Sequence, residues 1–260
     1  MLTLAHHPGG MDHPIFTESI RRIREALAAP GAPESWRQAA QRWGQSPERD
    51  VLERCIHSSG DLAIAPDLIF SPAAAVHEPG AASWGLAALA AGAPILTDTA
   101  MAAAAVGPMA RRTFGNPVHG LLDWAPPQAP PGETRSALAV RAAWQALTTP
   151  GDDAAARTER PAPVVLIGSA PTALERLLDL VGPVPGAVAG AAPAEMVAPS
   201  LVIGMPVGFV GVAESKRRLA ASGLAHIRLE GSRGGAGLVA AACNALLRAA
   251  WLQAACSPRD

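Results

Sequence analysis

The chain of 260 residues has no tyrosine, only three cysteines and few charged side chains. The cysteines show no CxxC spacing, which argues against a disulfide framework and against a structural zinc site. A charged fraction of 17% with a formal net charge of −1 gives no basic field for nucleic acid. No continuous apolar run reaches the roughly 20 residues that cross a bilayer, and residues 1–10 lack a signal sequence. We therefore expect a cytoplasmic protein that binds neither nucleic acid nor membrane.

Alanine and other apolar residues are abundant and make up 49% of the chain. A chain of this length and composition can bury a sizeable core. Residues 1–11 are predicted to form a flexible N-terminal tail, and residues 12–260 a single domain. Proline-rich loops are expected at 125–132 and 150–163, and neither is long enough to mark a domain boundary.

Short apolar strands alternate with helices from residue 62 onward. The predicted strands cover residues 68–70, 94–97, 164–168, 201–204 and 226–230, and the predicted helices cover 81–91, 134–147, 171–180, 213–222 and 235–255. Two helices are predicted before them, one from Pro14 to about Ala29 and one that Ser46 caps and Gly60 ends. Strand–helix alternation predicts an α/β fold of three α/β/α layers, flavodoxin-like, with a mostly parallel central sheet.

His57 stands at the predicted C-terminus of the second helix, one turn after Arg54. A histidine can change its protonation state near neutral pH, so its ring can give or take a proton if it faces a cleft. A structural histidine at the end of a helix is the alternative that these residues alone leave open.

Two glycine-rich turns each follow a predicted strand and open a helix. The first contains Gly208 and Gly211, and the second contains Arg233 and Gly234. Such turns let the backbone approach a ligand, and the helix N-terminus offers N–H groups to an anion. At the carboxyl ends of the strands both turns would border one crevice. Either turn could instead serve packing alone, and neither has the GxGxxG spacing of a dinucleotide site, which disfavours a nucleotide-binding protein.

Three further polar residues are candidates from their positions. Thr97 ends a predicted strand, where sites gather. Arg135 lies in the first turn of a helix, where the macrodipole favours an acid, so it faces either a ligand carboxylate or solvent. Ser19 lies on the first helix beside its apolar stripe and would by itself be a surface serine. No histidine, cysteine or carboxylate group has metal-binding spacing.

Taken together, these segments resemble the precorrin-8X methylmutase family, including its cobalt-precorrin-8 members. The matching stretches are His13-Pro-Ile15 with Ser19, Arg54-Cys-Ile-His57 with Gly60-Asp61, Gly92 to Asp98, Thr134 to Ala137, Ala170 to Leu174, Val202 to Gly211 with Glu214-Ser-Lys216, and Arg233 through Leu246. They occur in family order and span nearly the whole chain from Asp12 to Leu246.

The resemblance implies a homodimeric isomerase of cobalamin biosynthesis that needs no metal or other cofactor. Such an enzyme moves a methyl group from position eleven to position twelve of a tetrapyrrole polycarboxylate. By resemblance, His57 is the catalytic proton donor. The residues implied for substrate binding are Ser19, Arg54, Thr97, Arg135, Gly208, Gly211, Arg233 and Gly234. A non-catalytic tetrapyrrole carrier with the same fold is the alternative.

Overall fold

The structure is a computed structural model that describes residues 12–73, 79–149, 161–182 and 197–256. Within these residues the chain forms nine α-helices, two 3₁₀ helices and six strands. The helices are α1 (Pro14–Ala28), α2 (Glu34–Arg42), α3 (Pro47–Ser59), α4 (Ala81–Ala90), α5 (Ala100–Arg112), α6 (Arg135–Thr148), α7 (Pro171–Val181), α8 (Val212–Ala221) and α9 (Ala236–Cys256), with 3₁₀ helices at Leu62–Asp67 and Leu121–Trp124. The strands are β1 (Leu68–Ser71), β2 (Ile95–Thr97), β3 (Val118–Gly120), β4 (Val164–Ile167), β5 (Leu201–Gly204) and β6 (His226–Leu229). The predicted tail, residues 1–11, lies outside the described residues.

The six strands form one sheet in the order β1-β6-β5-β4-β2-β3. Every neighbouring pair is parallel except β1 with β6. Numbered in their own chain order, the five parallel strands run 2-1-3-4-5, which is the flavodoxin order. The prediction of a mostly parallel sheet in an α/β/α fold is confirmed. The strand order reverses between β2 and β4, where doubly wound sheets commonly bind ligands.

The two faces of the sheet carry different helices. Helices α3, α4, α5 and α9 share one apolar core with the sheet, and α1 and α2 pack against that side. Helices α6, α7 and α8 share the core on the opposite face. Helix α9 alone among the described helices is long and apolar enough to cross a membrane, yet most of it is buried against α3, α4, α5 and the sheet.

Helix α3 presents His57 because of how its sequence starts and ends the helix. Ser46 occupies the N-cap position, although its side chain makes no capping hydrogen bond, and Pro47 supplies the first helical residue. Gly60 ends the helix in the left-handed region, with φ of 68°, and its N–H donates to Ile56 O. The predicted apolar face of the helix is buried, whereas His57 is exposed at the last turn.

Candidate active site

His57 is held by a residue from another helix. Its Nδ1 lies 2.8 Å from Oγ of Ser19 on α1, a hydrogen bond between side chains 38 residues apart in the chain. Because Nδ1 is engaged in this way, Nε2 is the ring nitrogen left to meet a ligand. The sequence named both residues as candidates, and the fold brings them into direct contact.

Arg54 lies beside this pair and carries an unusual unpaired group. Its Nη1 is buried and has no hydrogen-bond partner among the described residues. Burial lowers the pKa of the guanidinium from its ordinary value, although arginine stays charged at any physiological pH. A buried donor without a partner is costly, so this atom is available to an incoming acceptor.

A groove of about 850 Å³ lies between α1, α3 and α9, and Arg54 forms part of its wall. Phe16 also lines the groove, and its ring contacts the side chains of His57 and Arg54 on α3. Its ring centroid lies 5.1 Å from that of His57 and 4.7 Å from Cζ of Arg54. His57 itself is not among the residues that line the groove. Phe16 therefore links the groove to the histidine, since it lines the groove and its ring contacts that of His57.

The two glycine-rich turns interlock. Gly208 N donates to Ser232 O at 3.0 Å, and Gly235 N donates to Met205 O at 2.9 Å. At Gly234 a Cβ atom would lie 2.0 Å from Met205 O, so no other residue fits there without a backbone shift. The N–H groups of Gly208 and Gly235 are thus already used inside the protein.

The first turn ends at the helix N-terminus of α8. Gly211 is the N-cap residue and has a φ of 71°, in the left-handed region that favours glycine. Next to it, Phe209 and Val210 are the most exposed large apolar side chains of the described residues, at 96% and 87%. An apolar tip of this kind beside a helix N-terminus suits a ligand that is both apolar and anionic.

Arg233 links the second turn to the end of α3. Its guanidinium forms ion pairs with Asp61 and with Asp67 and donates to Ala63 O. Ser58 Oγ, one residue after His57, donates to Gly237 O at 3.4 Å. The turn therefore borders the histidine, and a ligand carboxylate at Arg233 would compete with two aspartates of the chain itself.

Lys216 of α8 stabilises the second glycine-rich turn through hydrogen bonds to its backbone. Its side chain is almost completely buried, and Nζ donates to Gly231 O at 2.8 Å and to Arg233 O at 2.7 Å. Burial lowers the pKa of this lysine to about 8. The sequence contained Lys216 within a matching stretch but did not indicate that it fixes this turn.

Asp98 occupies the point where the strand order reverses. Its Oδ2 accepts hydrogen bonds from the N–H groups of Gly168, Ser169 and Ala170, at 3.0, 2.6 and 2.8 Å. These donors form the turn between β4 and α7, the kind of place where an anionic ligand binds in related sheets. The carboxylate of the chain itself fills that place.

A model of the precorrin-8X methylmutase family matches residues 14–249. The chain belongs to this family. A cobalt-precorrin-8 methylmutase from Synechocystis sp. is 33% identical over 250 residues, covering 93% of this chain and 97% of that protein. A precorrin-8X methylmutase from Pseudomonas aeruginosa is 40% identical over 198 residues, covering 74% and 80%. The solved structure of a precorrin-8X methyl mutase from Thermus thermophilus is similar, with 31% identity, a TM-score of 0.65 and coverage of 94% and 98%.

In this member of the methylmutase family, an isomerase family, the candidate residues fall into separate places. His57, Ser19 and Arg54 meet at one corner, and the turn with Arg233 and Gly234 borders that corner. Thr97 is completely buried, and its hydroxyl lies within hydrogen-bond distance of Thr99 O and His119 O. The structure therefore does not bring Thr97 to the corner of His57, and substrate binding by Thr97 stays a prediction.

Arg135 lies apart from the corner. It is exposed in the first turn of α6, on the opposite face of the sheet, and its Nε donates to Pro126 O at 2.8 Å. Thr134 beside it contacts Thr172 at the start of α7, 2.7 Å between the hydroxyl oxygens. Arg135 therefore stands at the carboxyl edge of the sheet but across it from His57. Within the described ranges, no three His, Cys, Asp or Glu side chains come together in a way that could hold a metal ion.

Proposed function

We propose that this chain moves a methyl group from position eleven to position twelve of precorrin-8X or its cobalt counterpart, assisted by proton donation from His57. The observation that carries the proposal is the corner between α1 and α3. There an exposed imidazole is anchored through Nδ1 to Ser19 and stands beside a guanidinium with a free, buried N–H. The membership of the chain in the methylmutase family supports this assignment.

The reaction needs little beyond positioning and a proton. The bond from the methyl carbon to ring carbon eleven breaks as its bond to ring carbon twelve forms, so substrate and product are isomers. A proton given to a ring nitrogen by His57 Nε2 withdraws electrons from the conjugated ring during the shift and returns afterwards. Holding the tetrapyrrole ring of the substrate in one orientation also accelerates the reaction.

The carboxylate arms and the apolar ring of the substrate have different partners to meet. Arg54 offers its unpaired Nη1 to one carboxylate arm and also lines the groove. Phe209 and Val210 offer apolar surface to the ring, and α8 begins beside them. Binding by Arg135, and assembly as a cytoplasmic homodimer, remain predictions.

Replacement of His57 by alanine tests the proposal. We expect turnover of precorrin-8X to fall by at least about a hundredfold, because the proton donor is lost. His57 is exposed, so the loss of its hydrogen bond to Ser19 and its contact with Phe16 should lower the free energy of unfolding by only about 1 kcal/mol, and the variant stays folded. The conversion is followed by the absorption spectrum of the corrin product, and stability by urea unfolding.

The same spectra separate an enzyme from a carrier. A tetrapyrrole carrier would bind precorrin-8X and shift its absorption bands without producing the corrin spectrum. Near-normal turnover by the His57→Ala variant would contradict the role of His57. Binding without conversion by the unaltered protein would contradict the catalytic function as a whole.

A further inference from the structure

One aromatic ring contacts both α3 side chains that the proposed function places against the substrate. The Phe16 ring meets the His57 ring at an interplanar angle of 87° and lies under the guanidinium of Arg54. His57 and Arg54 are three residues apart, so they share one face of α3 and one ring can reach both. Ser19 follows Phe16 by three residues on α1 and binds the same imidazole from the next turn.

We propose that Phe16 is a positioning residue, whose ring holds the imidazole of His57 and the guanidinium of Arg54 in the orientations in which the substrate meets them. This inference rests on the proposed function. It adds a residue to that site that acts through its two neighbours and is not itself a proton donor or a carboxylate ligand.

His57 needs the ring because one hydrogen bond does not fix a plane. The bond between Nδ1 and Ser19 Oγ sets the position of one atom, and the imidazole could still turn about that contact. The ring is exposed at the end of α3, so few other neighbours restrict it. An edge-to-face contact with Phe16 restricts that rotation, and Nε2 then keeps a constant direction toward the ligand.

Arg54 needs the ring because its charge has no ion pair among the described residues. Asp12 and Asp50 attract the guanidinium and Arg248 repels it, while burial disfavours its charge. Asp12 already binds Arg248, with 2.9 Å from Nε of the arginine to each carboxylate oxygen. Stacking on an aromatic face partly compensates a desolvated cation. Phe16 therefore holds the charged guanidinium of Arg54 in place and free for a carboxylate, instead of turned toward Asp50.

Two substitutions at Phe16 in the full chain separate positioning from bulk. Phe16→Leu removes the ring and keeps an apolar side chain, and Phe16→Tyr keeps the ring. Phe114→Leu is a matched control, since Phe114 is also half-buried and packs against the main core, but among the described ring contacts none joins it to His57 or Arg54. Should Phe16→Leu fail to fold, Phe16→Met fills the space without a ring and gives the same test.

The first measurement needs no turnover. The ¹⁵N chemical shifts of the His57 ring, recorded in the free protein at one pH, report the ratio of its two neutral tautomers. We expect this ratio to move toward that of free histidine in Phe16→Leu, and to stay unchanged in Phe16→Tyr and in Phe114→Leu. A purely structural role for Phe16 would lower the melting temperature and leave the ring shifts of the folded protein unchanged.

The second measurement is steady-state turnover of precorrin-8X. For Phe16→Leu we expect kcat to fall about tenfold and KM to rise several-fold, because both the proton donor and the guanidinium are misplaced. Phe16→Tyr should restore both constants to within about twofold of the original. Loss of stability with unchanged kcat in Phe16→Leu would overturn the proposal.

Failure of this inference and failure of the proposed function give different results. Unchanged His57 ring shifts in Phe16→Leu overturn the positioning role, whatever the turnover is. Full turnover by His57→Ala overturns the proposed function, and with it the catalytic purpose of the positioning, even where Phe16→Leu shifts the His57 resonances. Shifted resonances together with the fall in kcat support both.

Discussion

The turn after β4 and the corner between α1 and α3 each contain a charged side chain removed from water. The two differ in whether the N–H donors there already have acceptors. At the turn, one oxygen of Asp98 accepts three backbone N–H groups of the same chain. At the corner, Nη1 of Arg54 has no partner among the described residues and His57 faces solvent. The other oxygen of Asp98, Oδ1, is also buried without a partner among the described residues, but it is an acceptor. The N–H donors of the turn are therefore already occupied, whereas the corner keeps a free donor for an anion.

This difference indicates that the fold alone does not place the ligand. A doubly wound sheet is expected to bind its ligand where the strand order reverses, which here is the Asp98 turn. Because the carboxylate of Asp98 already satisfies those N–H groups, an anion gains little there. Helix α1 instead packs against α3 and places Ser19 on His57 there, and the free donor of Arg54 at that corner supports the site proposed above.

Removing the carboxylate of Asp98 should have the largest effect on the closed turn. Asp98→Ala leaves three N–H donors without an acceptor at a buried position, so we expect the free energy of unfolding to fall by about 3–5 kcal/mol. Urea unfolding measures this loss. Asp98→Asn is the control, because its amide oxygen can still accept, and it should cost distinctly less. Equal stability of Asp98→Ala and the original chain would contradict the role assigned to the turn.

Two histidines offer a second contrast between closed and open groups. His226 is completely buried on β6, with Nδ1 2.8 Å from Leu224 O and Nε2 3.1 Å from Nη1 of Arg228. Burial, and secondarily the charge of Arg228, lower the pKa of His226 to about 4 from the ordinary 6.5. The folded protein therefore holds His226 neutral, with Nδ1–H donating and Nε2 accepting.

Acid should destabilise the fold through His226. Below pH 6.5 the imidazole of His226 binds a proton in the unfolded chain, whereas in the folded chain it does so only near pH 4. Unfolding is thus favoured progressively over this window, by about 3 kcal/mol at its lower end. Urea unfolding at several pH values measures the slope, which His226→Gln should flatten between pH 6.5 and 4. Identical slopes for the two proteins would contradict the assignment.

The regular part of the fold was predictable because its sequence signals are local. Five short apolar runs predicted β1, β2, β4, β5 and β6, and the helices between them followed from periodicity and caps. Helix α5 was not predicted, because an alanine-rich run shows no apolar stripe, although Thr99 caps it through Ala102 N. Strand β3 was not predicted either, since its three residues are half-buried and pair only with β2.

The candidate site residues were named through the family resemblance, because their residue types alone left a structural histidine and a surface serine open. The fold joins His57 to Ser19 and places Arg54 beside them. Phe16 gave no signal, because an aromatic residue near the start of a helix is usually packing, and its value depends on a contact across 41 positions with His57. The ion pairs of Arg233 with Asp61 and Asp67 depend equally on tertiary contacts.

Arg54 and Arg24 allow the contrast between open and closed groups to be measured within one groove. Both arginines line it, but Arg24 binds Glu53 through two hydrogen bonds of 2.7 Å, and Glu53 is buried. Arg54 has no such partner among the residues described. A matched pair of methionine substitutions therefore removes one paired and one unpaired charge from the same surface.

For Arg54→Met we expect the affinity for the corrin product to fall about tenfold, the value of one charge-assisted hydrogen bond of roughly 1.5 kcal/mol. Its unfolding free energy should stay the same or rise, because an unpaired buried charge has been removed. Arg24→Met should do the reverse, lowering stability while leaving product affinity near its original value. Absorption titration with the product and urea unfolding give the two quantities. If Arg54→Met instead lowered the free energy of unfolding and left product affinity unchanged, Arg54 would be a structural residue. The corner would then offer no more to a ligand than the Asp98 turn does.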